Sequence, residues 1–158
     1  MSGPAGGAGT PPHLDARGHA RMVGVGHKPA VRRRAVARGE VHVAPSTAAA
    51  IRAGDVPKGD VGPVARLGGI AAAKRTSDLV LLCHPLPLDG VEVAVHVDDA
   101  GVVALEARVE TTARTGVEME ALTAVSVAAL NVYDMVKGID PGPRIEGIRL
   151  VEKRKDPA

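Results

Sequence analysis

Four charges interrupt an otherwise apolar stretch between Gly116 and Lys137: Glu118, Glu120, Asp134 and Lys137. Asp134 and Lys137 stand three residues apart, so on a helix they share a face and can hold one ligand or exchange one proton. The same spacing occurs in purely helix-stabilising pairs, because a cation is favoured near a helix C-terminus. Cys83 and His84 form a second polar pair inside the apolar run LVLLCHPLPL. A histidine in such a place does acid–base work or is a satisfied core residue. Adjacent Cys and His lack the spacing of a structural zinc site, no second ligand cluster supplies it, and no metal is expected. Lys58 sits in a Lys-Gly-Asp turn that reads equally well as a polar loop. Arg32, Arg33 and Arg34 are consecutive. They suit a phosphate, whose oxygens the guanidinium fork takes two at a time, or they are simply solvated.

These groups must be positioned by secondary structure. From Val117 to Lys137 the periodicity predicts a helix whose core stripe is Leu122, Val125, Ala129, Val132 and Val136. A second face carries Met119, Glu120, Thr123, Val127, Leu130, Asp134 and Lys137. So few solvating residues predict covering on two sides, by a core and by a subunit interface or cleft. Upstream, Arg34 to Val43 reads as a strand. Ser46 or Thr47 can cap a short helix that Gly54 stops. A second helix spans Val64 to Thr76, weakened by Gly68 and Gly69. The prolines break LVLLCHPLPL into a buried, irregular connector. Val91–Val97 and Val102–Thr112 alternate around a turn at Asp98–Gly101 and form a hairpin. Ile145, Ile148, Leu150 and Val151 read as a last strand. With the two early helices counted as one crossover, this order is the split βαβ pattern of an α+β, ferredoxin-like sandwich with an antiparallel sheet.

With 158 residues, 45% of them hydrophobic, and a net charge of +2, the chain is expected to form one domain over residues 17–158, after a mobile Gly/Pro-rich tail at 1–16. The first segment has no basic region followed by an apolar run, and no apolar stretch reaches membrane-span length uninterrupted, so neither secretion nor a membrane is expected. A single cysteine agrees with a reducing, cytoplasmic setting. Tyr133 is the one aromatic residue, which leaves no platform for stacking bases and argues against nucleic acid. GVGHKP lacks the final glycine of a dinucleotide fingerprint and no phosphate loop is present, so a nucleotide would be held by side chains. The closing VEKRKDPA reads as a frayed, solvated tail.

Taken together, Met22-Val23, the KGD turn at Lys58, AAKRTSDL from Ala72, LCHPL from Leu82, TGVEMEALTAVSVAAL from Thr115 and YDM from Tyr133 resemble the molybdenum cofactor biosynthesis protein C family, the cyclic pyranopterin monophosphate synthases. The resemblance covers about residues 17 to 152. It implies a ferredoxin-like subunit, a homohexamer built as a trimer of dimers, and active sites at the dimer interface. It further implies conversion of 3′,8-cyclo-7,8-dihydroguanosine 5′-triphosphate to cyclic pyranopterin monophosphate, with release of pyrophosphate and no redox cofactor. By the same resemblance, Asp134, Lys137 and Lys58 are the catalytic residues. Leu82, Cys83, His84, Met119, Glu120, Glu118 and Arg32 are those that bind the small-molecule substrate. The chain departs from the family pattern at Gly24, where an aspartate is usual, at Asn131, where threonine is common, and at its end, where a GGKSG-like run is usual. Two rival readings of the same residues stay open: a ligand-binding regulatory domain, and an oligomer module in which the helix charges only specify pairing.

Overall fold

The sheet is built around β1 (Val31–His42), which lies between β3 (Val102–Ala113) and β4 (Arg144–Lys155), with β2 (Gly90–Val97) beyond β3. All three pairings are antiparallel. The computed structural model that shows this describes residues 13–157. Residues 1–12 of the expected tail therefore lie outside the described part. Residues 14 and 20 bridge one another just before the sheet begins.

Alternation along the strands sends one set of side chains under the helices. Ala35, Ala37 and Val41 of β1 and Val103, Leu105, Ala107 and Val109 of β3 are all core residues. Small aliphatics fill this core, so the layer above can approach closely. That layer is α4 (Glu118–Val136), with α2 (Val61–Ala73) alongside it. Four of the five residues of the stripe expected on α4, Val125, Ala129, Val132 and Val136, are fully buried, and Leu122 is half-buried against the core. By length and composition α4 alone would be apolar enough to cross a bilayer, but half of it is buried in this fold, as befits a core helix.

Gly68 and Gly69, expected to weaken α2, are what lets it reach α4. A Cβ on Gly69 would lie 2.9 Å from the carbonyl oxygen of Ala124 and 3.3 Å from Cβ of Ala128, and one on Gly68 would run into the Asn131 side chain. Each glycine costs helix propensity, about 1 kcal/mol against alanine, and close helix packing offsets it.

Three expectations are corrected. The short helix α1 (Pro45–Ala53) ends at Gly54 in the left-handed conformation, as predicted, but neither Ser46 nor Thr47 caps its start. Pro45 already occupies the first turn, and the cap residue is Ala44, whose N–H is taken at 2.7 Å by the distant carboxylate of Asp140. The run LVLLCHPLPL, which begins at the last residue of α3 (Thr76–Leu79), is irregular beyond it but not buried: Leu81 is 89% exposed, and Leu82 also faces outward. Finally, the basic end is not frayed. Lys153, Arg154 and Lys155 belong to β4 and pair with Ala35, Arg34 and Arg33 of β1.

Candidate active site

At the C-terminal end of α4 the three expected catalytic residues meet within one chain. Asp134 and Lys137, one turn apart, form an ion pair of 2.7 Å. Lys58 arrives from the loop between α1 and α2 and reaches the other carboxylate oxygen of Asp134 at 2.8 Å, donating also to its main-chain carbonyl at 2.9 Å. The turn that delivers Lys58 needs Gly59, whose φ of 105° falls in the left-handed region. The lysine contacts, that of Lys137 first and then that of Lys58, hold the Asp134 carboxyl down at about 2. Asp134 is thus a stable anion, and its charge in turn raises Lys137. All three side chains are about half exposed, open to a ligand.

The N-terminal end of α4 is built differently. Glu118 is paired with Lys153 of β4, a contact that the frayed-tail reading missed and that only strand pairing reveals. Glu120 turns inward and is 3% exposed. Its Oε1 accepts the Cys83 thiol at 3.7 Å, while its Oε2 has no partner among the described residues. Burial pushes the Glu120 carboxyl above its ordinary range, its own backbone N–H and the thiol pulling back only part of the way. Burial likewise raises Cys83, and the nearby Glu120 adds to it. His84 places Nε2 2.7 Å from the Val23 carbonyl oxygen. A carbonyl only accepts, so Nε2 carries the proton and Nδ1 is the remaining basic nitrogen. A cleft of about 300 Å³ opens here between His84, Leu82, Lys28, Thr115, Val23 and Val25. Met119 is exposed at the rim of the helix. Gly24, where the family pattern has an aspartate, meets nothing a side chain would strike, and the arm acts on His84 through a backbone carbonyl instead.

Arg32 stands apart from both ends. Its strand position alternates with the buried Val31, so it lies on the open face of the sheet and donates to Glu110 at 2.8 Å. Arg33, its neighbour, points the other way and holds the carbonyl oxygens of Ala113 and Arg114, each at 3.1 Å, in the chain that leads into α4. Reading β1 from Val31 instead of Arg34 would have exposed this difference, since one residue of register reverses every side chain.

The two groups of candidate residues do not meet within one chain. Fourteen residues separate Glu120 from Asp134 along an unbroken helix, which is about 21 Å at 1.5 Å per residue. Proton transfer needs heavy atoms within about 3 Å. Around α4 the surface is apolar where a soluble helix is normally charged: Leu130 and Tyr133 on α4, Val64 and Leu67 on α2, and Leu79, Leu81 and Leu82 beyond it are all exposed.

Comparison with known proteins places the chain in a family. The sequence pattern of the MoaC family matches residues 22–156. The chain is 58% identical over 142 residues to a cyclic pyranopterin monophosphate synthase of Thermomicrobium roseum, covering 89% of this chain and 86% of that one. It is likewise 58% identical over 142 residues to the protein of that name from Pelotomaculum thermopropionicum, covering 89% and 84%. Against that of Chloroflexus aggregans it is 54% identical over 143 residues, covering 90% and 87%.

Proposed function

The chain belongs to the MoaC family, and on that premise we propose how its two separated groups of residues share one reaction. The protein is an enzyme of molybdenum cofactor biosynthesis, a cyclic pyranopterin monophosphate synthase that converts 3′,8-cyclo-7,8-dihydroguanosine 5′-triphosphate to cyclic pyranopterin monophosphate and pyrophosphate. Its active site is composite. The Asp134, Lys137 and Lys58 end of one copy faces the Cys83, His84, Glu118, Met119 and Glu120 end of another, in a homohexamer arranged as a trimer of dimers. The observation that carries this reading is the distance of about 21 Å between the two ends of α4, which no single set of proton transfers can bridge. The uncovered leucines beside both ends supply the apolar surface for such an interface. The enzyme works in the cytoplasm, and the packed state of α4 accounts for its hydropathy without a membrane.

The chemistry follows from charge. Rebuilding the purine-derived ring requires several proton transfers, and closing the cyclic phosphate breaks the bond between the α and β phosphates as an oxygen of the sugar attacks the α phosphorus. Pyrophosphate leaves with growing negative charge, which Lys58 and Lys137 are placed to neutralise. As the phosphates draw these lysines away, Asp134 loses the contacts that hold its carboxyl near 2, rises toward an ordinary carboxylate and becomes a better proton acceptor. The lysines, protonated at rest, are the matching acids. His84, fixed with its proton on Nε2, offers Nδ1 to the same substrate from the partner's side.

Mixing tests the composite site. Asp134→Asn and His84→Ala, each separately inactive, should regain roughly a quarter of wild-type turnover when reassembled together, since each mixed pair restores one intact site and doubles the damage in the other. Pyrophosphate release and pterin product are the readout. No recovery in assemblies shown by mass to be mixed would place the whole site in one chain and end this reading.

A further inference from the structure

We infer that Glu120 stands in the resting protein as a neutral carboxylic acid and meets the substrate as a hydrogen-bond donor, so that Glu118 and Glu120, two residues apart, have opposite roles. The inference rests on the functional reading above for its substrate, but not for its protonation state.

Three observations carry it. Glu120 is 3% exposed, the most enclosed of the candidate residues. Apart from its own backbone N–H, its carboxyl has one weak donor, the Cys83 thiol at 3.7 Å on Oε1, and its Oε2 has no hydrogen-bond partner among the described residues. Among the described residues its own chain supplies it no cation, and Lys58 and Lys137 of the facing copy are held by Asp134. The connector contributes Cys83, which would be anionic if ionised, and α4 contributes Glu118, also an anion. The lysine that β4 brings to this end, Lys153, is engaged by Glu118. His84 turns its Nε2 to the Val23 carbonyl instead. An isolated carboxylate so enclosed is strongly disfavoured, and proteins relieve it by keeping the proton. The direction in which burial moves this carboxyl agrees.

The consequence is chemical. An ionised carboxylate only accepts hydrogen bonds and would select ring N–H groups, whereas a neutral acid donates one O–H and selects a carbonyl-type oxygen. Glu118, whose charge Lys153 balances, remains an acceptor for N–H. Together they would read a donor and an acceptor on the edge of the guanine-derived ring, with Cys83 closing over the acid through a contact weak enough to exchange.

The test uses the full chain with glutamate side chains labelled with ¹³C at the carboxyl carbon, and Glu120→Gln to assign the signal by difference. One carboxyl, absent from the variant, should remain protonated at pH values where the exposed glutamates have already ionised. In turnover, Glu120→Gln keeps a donor and should lose less than about tenfold in kcat/KM, while Glu120→Ala, which has none, should lose about a hundredfold. The fall of kcat/KM on the alkaline side should begin at higher pH in Glu120→Gln than in the wild type, leaving only the part that belongs to the lysines. A Glu120 signal that titrates with the other glutamates, or a Glu120→Gln variant as damaged as Glu120→Ala with the alkaline limb unshifted, would overturn the inference. If the wild type makes no product, the functional reading falls, and the titration alone then upholds or overturns the neutral acid.

Discussion

The two ends of α4 carry the same kind of group, a carboxyl, in opposite regimes. At the C-terminal end Asp134 is half exposed and gripped by two lysines, so its proton is gone under all ordinary conditions. At the N-terminal end Glu120 is enclosed, without a cation from the described residues of its own chain, and holds its proton above the usual range. Fourteen positions along one helix thus separate a permanent anion from a persistent acid. What distinguishes them is not residue type but what comes from elsewhere in the chain: a loop lysine at one end, a thiol at the other. Burial and partners decide the role of a carboxyl, as they do in any pair of acids set to opposite tasks.

Substitutions can break that contrast, and the largest effect belongs to Asp134. Asp134→Asn removes the anion without changing shape and should lower kcat by about 10³-fold, the upper range for a group that moves protons, while the assembly elutes unchanged from a sizing column. A changed assembly with turnover intact would make the C-terminal end a structural clamp. A smaller effect, on stability, should follow from prising the helices apart at their midpoint. Gly69→Val would drive carbon into the Ala124 carbonyl and Val93, and should cost about 1–3 kcal/mol, read as a lower Tm, because overpacked sites relax only in part. The smallest effects are those of pH, and they should have opposite signs at the two ends. A carboxyl lowered on folding stabilises above its unfolded value, so the contribution of Asp134 is present above pH 3.8 and is lost as pH falls through about 2. A carboxyl raised on folding behaves inversely: Glu120 is harmless below 4.5 and weakens the fold as pH climbs toward its raised value. The Tm advantage of Glu120→Gln over wild type should therefore grow with rising pH, while Asp134→Asn should differ from wild type by little at any pH, since exposed ion pairs are worth little. Parallel melting curves across pH check both.

Local pattern revealed the scaffold well. The stripe of Val125, Ala129, Val132 and Val136, the hairpin around Asp98, and the stop at Gly54 are all signals written within a few neighbouring residues, and each is where the spacing put it. The order of elements then left few topologies, and the ferredoxin-like one is observed. Asp134, Lys137 and Lys58 were found through residue type and motif, and the structure brings them together. What stayed hidden were contacts made across long stretches of chain. Asp140 caps α1 from 96 residues away, so nothing near Ser46 or Thr47 could announce it. Lys153 reaches Glu118 only because β4 pairs beside β1. Arg32 and Arg33 look interchangeable until register sends them to opposite faces. Gly68 and Gly69 are unfavourable locally and indispensable to the approach of α4.

The order of strands has a consequence for how the molecule is made. Among the described residues β1 is the first strand to leave the ribosome and an inner strand of the finished sheet, yet its second neighbour, β4, is made about a hundred residues later. Until β4 has been made, β1 has an unpaired edge, and the nascent sheet offers a template to any other strand in reach. Pairing partners so far apart in sequence also close slowly. Chains that stop short of β4 should therefore gather into aggregates rather than persist as smaller folded units, and the dozen residues of β4 act as the seal that ends this exposure.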